Sequence, residues 1–390
     1  MTFLRDDLAR LAAYQSPHPD PYLAKDTNQP ALDPLDTNES PIDLPEALKT
    51  ALAQTYEQAI AANRYPDGSH LALKQAVMSY AVRSGAIAPS TIGVENITLG
   101  NGSDELIRSV IMATCLGNHG SILVADPTFS MYGILAETLG VRVHRVGRKD
   151  TFEVDLAAAN QILLSADRET PPVKVIFMVH PNSPTGNALT SVELDWLKQL
   201  PDDILIVVDE AYFEFSDRTT LPEALSRPNW IILRTFSKAF RLAAHRVGYG
   251  IAHREIIAAL EKLRLPYNLP SFSQAAAQTA LAHSDQLLAQ IPKILTARHQ
   301  LIQALSEHPG LRVWPSDSNF VYVRLGDRGL KTLQTSTQAD GLAKLFHQLR
   351  AKGTLARHTG GGLRISIGTA AENARTLANL QQILASQPKG

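Results

Sequence analysis

A chain of 390 residues with 44% hydrophobic and 19% charged side chains has apolar content for a sizeable core and the length of roughly two to three domains. Lys+Arg 37 against Asp+Glu 38 leaves a formal net charge of −1, so composition makes no electrostatic case for nucleic acid or an anionic membrane as partner. The single Cys115 excludes an intrachain disulfide framework and a multi-cysteine metal site, so no metal is expected.

No apolar stretch approaches the ~18 residues of a membrane span. The acidic pair Asp6-Asp7 stands where a signal peptide needs a long apolar segment, and a cytoplasmic protein is expected. The first forty residues carry Pro17, Pro19, Pro21, Pro30 and Pro34 among Asp and Asn, the composition of an extended arm. A helix is predicted over 45–62, with a proline near its first turn, then a turn at 63–68 and a second helix over about 70–83.

From there the pattern alternates. Strands are predicted at 96–99, 122–125, 141–146, 173–179, 204–208, 231–234 and 247–251, most of them separated by helical segments such as 104–116 and 192–200. That alternation predicts an α/β fold with a mostly parallel sheet flanked by helices. Several strands are too uniformly apolar to have an exposed face, which suits a sheet buried on both sides. Cys115 lies in the apolar run 106–116 and reads as core packing. A long helical region is expected over 271–306, then strands at 319–324 and 363–367 with helices at 342–351 and 371–385. The expected division is a large domain over 45–290 and a smaller α+β domain over 291–390, completed by the arm 1–44.

Chemistry collects at the ends of these elements. Lys238, between Ser237 and Ala239, follows the strand-like run 230–233. A lysine so placed can be partly desolvated, lose its proton and form a Schiff base with a carbonyl, although most lysines are solvated surface charges. Asp209 closes the apolar run 204–208. A carboxylate there points into the crevice where open α/β sheets bind ligands, and against a pyridine nitrogen it would keep the ring protonated. A helix-capping aspartate is the plainer alternative. Arg246 opens a further strand. An acid, an amine and a guanidinium at successive strand ends are the groups a pyridoxal phosphate (PLP) enzyme requires.

Gly100-Asn101-Gly102-Ser103-Asp104-Glu105 joins a strand to a helix, as a phosphate cradle or as a plain turn capped by Ser103 or Asp104. Asn182 lies in the loop 180–186, which is either a proline turn with an Asx bond or a source of a donor to a cofactor's phenolate oxygen, shared with Tyr212. Tyr132 offers a flat ring for stacking, or belongs to the core. Arg364 sits in an otherwise apolar strand, where a guanidinium is expensive to bury unless it binds an anion or carboxylate; Arg357 is the lesser candidate.

Taken in order, these motifs resemble the PLP-dependent enzymes of the aspartate-aminotransferase fold, and most closely the histidinol-phosphate aminotransferase family. The resemblance covers nearly the whole chain. It begins at Asp36-Thr37-Asn38-Glu39-Ser40-Pro41 and Arg64-Tyr65-Pro66-Asp67, then takes in 100–105, 180–186, 209–212, Ser237-Lys238 and Arg246. It ends with Tyr267-Asn268-Leu269 and Arg364-Ile365-Ser366-Ile367-Gly368-Thr369.

The resemblance implies that Lys238 carries the cofactor and then shuttles the proton, with Asp209 on the pyridine nitrogen. It implies Asn182 and Tyr212 on the ring oxygen, Tyr132 stacked on the ring, and the amides of Ser103 and Asp104 with Ser237 and Arg246 on the phosphate. It further implies a homodimer in which Tyr65 reaches the phosphate of the neighbouring subunit's cofactor. Arg364, helped by Arg357, Asn38 and Tyr14 from the other subunit's arm, would bind the substrate anion. The implied reaction is transamination of L-histidinol phosphate with 2-oxoglutarate, giving imidazole acetol phosphate and L-glutamate, in histidine biosynthesis. Arginine suits both substrates, since its planar fork donates bidentately to phosphate or carboxylate.

Arg241 and His245 stand where the family often has small or apolar residues, and are expected to alter the pocket's edge. Rivals on the same scaffold are an aromatic or general amino-acid aminotransferase and a threonine-phosphate decarboxylase. A PLP-binding regulator would need an appended DNA-binding module, for which 390 near-neutral residues leave no expected room. A Rossmann-type protein would need the third glycine that 100–105 lacks.

Overall fold

Apolar strands and helices with one apolar face sort this chain into two layered units around separate sheets. The computed structural model describes residues 32–165 and 171–385, with Phe3, Arg5 and Leu11. Tyr14 and most of the arm lie outside the described residues.

β1 (Asp33–Pro34), α1 (Glu46–Ala59) and α2 (Leu71–Gly85) come first. Next are β2 (Ile97–Asn101), α3 (Gly102–Cys115), β3 (Ser121–Ala125), α4 (Met131–Thr138), β4 (Val143–Val146) and α5 (Leu156–Leu164). They are followed by β5 (Val173–Val179), α6 (Ser191–Lys198), β6 (Leu205–Asp209), α7 (Leu221–Ser226), β7 (Trp230–Thr235) and β8 (Val247–Ala252). Then come α8 (Arg254–Leu263), α9 (Ser271–Ala282), α10 (Ser284–Leu288), α11 (Ile291–Ser306), β9 (Leu311–Val313) and β10 (Phe320–Leu325). The chain closes with α12 (Asp327–Thr332), α13 (Gln338–Ala351), β11 (Thr354–Leu355), β12 (Arg357–Thr359), β13 (Gly362–Ser366) and α14 (Ala370–Leu384).

The large sheet has the order β2-β8-β7-β6-β5-β3-β4. The five strands from β7 to β4 pair in parallel, and β8 runs antiparallel to both of its neighbours. The expected mostly parallel sheet is therefore present. Its central strands are mostly apolar because both faces are covered. On β6, Ile206 and Val208 pack with Leu52, Val77 and Ala277 of α1, α2 and α9, and Val207 packs with Val110 and Leu260 of α3 and α8. Cys115 is buried among that second set.

The helical region over 271–306 is three helices rather than one. Its ladder breaks at His283 and again before α11, where Pro292 occupies the first turn, a place where a missing N–H costs nothing.

The second sheet, β12-β13-β10-β9, is antiparallel throughout. Val321, Val323 and Ile365 of that sheet pack with Leu301, Leu345 and Leu380 of the helices over it. β1 pairs in parallel with β11, and Arg375 grips Asp33 with two bonds of 2.9 and 2.6 Å. Residues 33 and 34 thereby join the C-terminal unit.

The reversal of β8 positions the site. Its register places Thr235 opposite Gly248 and Asn101 opposite Val247. The start of β8 thus lies at the edge where β2, β5, β6 and β7 all end.

Candidate active site

Asp209, the last residue of β6, is 2% exposed. Its Oδ2 accepts from the Tyr132 hydroxyl at 2.6 Å and its Oδ1 from the Ala211 amide at 3.1 Å. Burial pushes its pKa up from 3.8 to about 6, and the two donors oppose that shift. Tyr132 is itself buried, with its ring stacked on Phe177 at 4.6 Å and 15°. The ring expected to stack on a cofactor is thus spent on the core and on Asp209. Phe129, three residues earlier and set edge-on to Tyr132, is only partly buried and is the aromatic with surface left to offer. A P-x-aromatic loop entering a helix signals one such ring; which of two aromatics turns inward is settled by Phe177.

Lys238 Nζ donates to the Thr37 carbonyl at 2.8 Å. Burial lowers the lysine's pKa, and the Arg364 and Arg246 guanidiniums push the same way against Tyr212 and Glu39. A lysine so placed gives up its proton more readily and is a better nucleophile. The Tyr212 hydroxyl accepts from Asn38 Nδ2 at 3.0 Å. Asn38 adopts φ +56°, is pinned by Ser366 and Asn319, and so brings the segment after β1 against Tyr212.

Gly102 opens α3 at φ +73°, and its N–H donates to the Arg246 carbonyl at 2.8 Å. No capping side chain takes the amides of Ser103 and Asp104. A Cβ at Gly102 would come 2.5 Å from Arg246 Nη2, and one at Gly248 would come 2.5 Å from the Ser103 amide nitrogen. Only glycines let the helix start, β8 and Arg246 approach this closely. Arg246 donates to Asp104 at 3.2 Å and to the Ser237 hydroxyl at 3.3 Å. Thr235 at the end of β7 donates to Ser237 Oγ at 3.0 Å and accepts from the Ser237 amide at 3.1 Å. Ser103, Asp104, Ser237 and Arg246 are therefore brought together as expected. Thr235 is an addition, signalled only by being a hydroxyl at an apolar strand's end.

Asn182 does not have a donor to spare for a cofactor. Its two amide hydrogens go to the Pro127 carbonyl at 3.1 Å and Thr185 Oγ1 at 2.6 Å, and its oxygen accepts from Thr128 and from Arg148. The next residue behaves differently. Ser183 Oγ accepts from Arg364 Nη1 at 3.0 Å, and Arg364 Nη2 donates to the Asp36 carbonyl at 2.6 Å. Arg357 lies directly opposite Arg364 across the β12–β13 ladder. Like charges facing each other across a ladder are unfavourable unless an anion comes between them.

Tyr65 is 81% exposed, with its ring stacked on Tyr267. Arg241 bonds to the Asp43 and Leu287 carbonyls and His245 packs on Phe272, so both departures from the family pattern serve local packing.

Residues 33–380 match the family described as aminotransferase class I and II. The chain belongs to that family. It is 56% identical over 384 residues to a histidinol-phosphate aminotransferase of Trichodesmium erythraeum, covering 98% of this chain and 99% of that one. It is 52% identical over 387 residues to the histidinol-phosphate aminotransferase of Thermosynechococcus vestitus, covering 99% and 98%. Its fold is shared with the histidinol-phosphate aminotransferase of Sinorhizobium meliloti in complex with pyridoxal-5'-phosphate. That likeness has a TM-score of 0.80 at 23% identity, over 99% of this chain and 98% of that one.

Class I and II aminotransferases are PLP-dependent transferases, and so is this enzyme. The residues fit the cofactor. A desolvated amine follows β7, a buried acid ends the neighbouring parallel strand β6, and the two glycines shape a cup whose helix start and guanidinium suit a phosphate. No helix among the described residues is long and apolar enough to cross a membrane.

Proposed function

We propose that this enzyme transaminates L-histidinol phosphate with 2-oxoglutarate, giving imidazole acetol phosphate and L-glutamate in histidine biosynthesis, as a cytoplasmic homodimer. The observation that carries the reading is the facing pair Arg357 and Arg364, with Arg364 held by Ser183 and the Asp36 carbonyl. A paired guanidinium site accepts a phosphate monoester and a carboxylate alike, which the two half-reactions demand. The two relatives named above support the same substrate.

PLP, when bound, supplies the carbonyl that takes the amino group and a ring that accepts electrons from the substrate's α-carbon. Lys238 Nζ would hold the cofactor until the substrate's amine displaces it. It would then take the proton from the substrate's α-carbon and pass it to the cofactor's carbonyl carbon. In the structure the lysine amine donates to the Thr37 carbonyl. Asp209 holds the proton on the ring nitrogen, and Tyr132 orients Asp209. Tyr212 and the Ser183 hydroxyl, in place of Asn182, serve the ring oxygen; Phe129, in place of Tyr132, covers the ring. The amides of Ser103 and Asp104, with Ser237, Thr235 and Arg246, hold the phosphate. Asn38 steadies Tyr212 at the substrate's side. Tyr65 completes the neighbouring subunit's phosphate site, and Tyr14 contributes to that subunit's substrate site. Residues 45–290 act as the cofactor domain, and 1–44 with 291–390 as the smaller domain.

The test is a donor panel with PLP-loaded enzyme. L-histidinol phosphate with 2-oxoglutarate is expected to give L-glutamate with the highest kcat/KM. A preference for phenylalanine or tyrosine, or carbon dioxide release from threonine phosphate, would overturn the assignment.

A further inference from the structure

Two tyrosines on the surface are arranged as one object. The rings of Tyr65 and Tyr267 lie 4.6 Å apart at 11°, with Tyr65 81% and Tyr267 45% exposed. Leu71 and Leu265 on the neighbouring elements are exposed as well, at 48% and 71%. Large apolar side chains left together in solvent mark a surface that meets another molecule.

The Tyr267 side of this stack is built rather than incidental. Tyr267 has φ +56°, a conformation that a bulky residue adopts only when its surroundings impose it. The imposing contacts belong to Asn268. Its Nδ2 donates to the Leu99 carbonyl at 3.1 Å and to Glu105 at 2.9 Å, and its Oδ1 accepts from Arg264 at 3.2 Å. Arg264 also donates to the Gly68 carbonyl at 2.9 Å, and Gln274 donates to the Asp67 carbonyl at 3.1 Å. The turns carrying the two rings are therefore fastened to one scaffold. A Cβ at Gly68 would already touch the Tyr267 ring at 3.3 Å, so the turn after Tyr65 is shaped around that ring.

An exposed tyrosine otherwise samples several rotamers and must be ordered when it binds, at an entropic cost. We propose that Tyr267 is a positioning residue that holds the Tyr65 phenol in its phosphate-reaching rotamer for the neighbouring subunit's cofactor. This rests on the cross-subunit role of Tyr65 given above. The stack requires a ring at 267 and has no need of the Tyr267 hydroxyl.

The test is cofactor affinity, measured by titrating the cofactor-free dimer with PLP and following tryptophan fluorescence, with dimer mass confirmed by light scattering. Tyr65→Phe is expected to weaken binding roughly ten- to a hundredfold, the worth of a charged hydrogen bond. Tyr267→Leu, which keeps apolar bulk at the contact, is expected to weaken it about two- to tenfold, and Tyr267→Phe to restore it. Tyr65→Phe combined with Tyr267→Leu should be no weaker than Tyr65→Phe alone. Unchanged affinity in Tyr267→Leu beside a weakened Tyr65→Phe overturns the positioning role and leaves the role of Tyr65 standing. Losses that multiply in the double variant overturn it too, because Tyr267 would then act independently. Unchanged affinity in Tyr65→Phe removes the cross-subunit reading itself, and the positioning role with it.

Discussion

The hydroxyl of Tyr132 donates to Asp209 across 2.6 Å, within a pocket of the sheet where both residues are buried. The bond favours the ionised carboxylate against the burial that pushes its pKa up to about 6. Tyr132→Phe removes the donor and leaves the burial. Asp209 should then ionise at higher pH, moving the acid limb of the kcat profile upward and lowering the rate roughly ten- to a hundredfold. An unmoved pH profile would show that Tyr132 only fills space.

The same acid carries a stability cost. Its pKa is about 6 in the folded chain against an ordinary 3.8, so between those values the folded state holds an extra proton. Stability therefore falls as pH rises from about 4 to 6 and stays reduced above that, by at most about 3 kcal/mol. Cofactor-free Asp209→Asn should melt higher than the parent protein at pH 8, with the gap closing toward pH 4. Loaded with PLP, it should transaminate at least about a hundredfold slower, having lost the charge that holds the ring proton. Thermal melts across this range, with and without cofactor, check both parts.

Lys238→Ala should stop transamination while leaving the fold intact. Borohydride reduction of the loaded parent protein should fix the cofactor on the peptide that contains Lys238, as read by mass spectrometry. The variant should carry none. Cofactor trapped on another lysine would remove Lys238 from its role.

Arg364→Lys keeps the charge and loses the fork that bonds Ser183 and the Asp36 carbonyl. Both half-reactions should lose kcat/KM, by roughly ten- to a hundredfold each. Loss of one with full retention of the other would place the phosphate and the carboxylate at separate sites.

Neighbouring residues should respond oppositely. Asn182→Ala breaks bonds to Pro127, Thr185, Thr128 and Arg148, and should cost about 2 kcal/mol or more of folding stability. Ser183→Ala should leave the melting temperature nearly unchanged, raise KM for both substrates and shift the bound cofactor's absorbance. The reverse pattern would return the ring oxygen to Asn182.

The sequence by itself determined the residues that lie at the ends of apolar runs. Lys238, Asp209 and Arg246 flank strands buried on both faces, and such burial shows in the local chain as runs with few polar residues. The glycine-rich start of α3 is local in the same sense, because its backbone conformation must be encoded where it occurs. Tertiary structure decided which side chains meet. The reversal of β8 brings Arg246 to the edge where the other strands end, and that follows from hydrogen-bonded pairing between Thr235 and Gly248 and between Asn101 and Val247. The facing of Arg357 and Arg364 depends on the hairpin register through Gly360 and Gly361, both at positive φ. The proposed exchanges of Tyr132 for Phe129 and of Asn182 for Ser183 have the same origin. Within one short loop every residue has similar local credentials, and the one turned inward is chosen by distant partners: Phe177 and Asp209 for Tyr132, Pro127 and Arg148 for Asn182. Strand burial is written along the chain, whereas side-chain pairing exists only between segments that folding brings together.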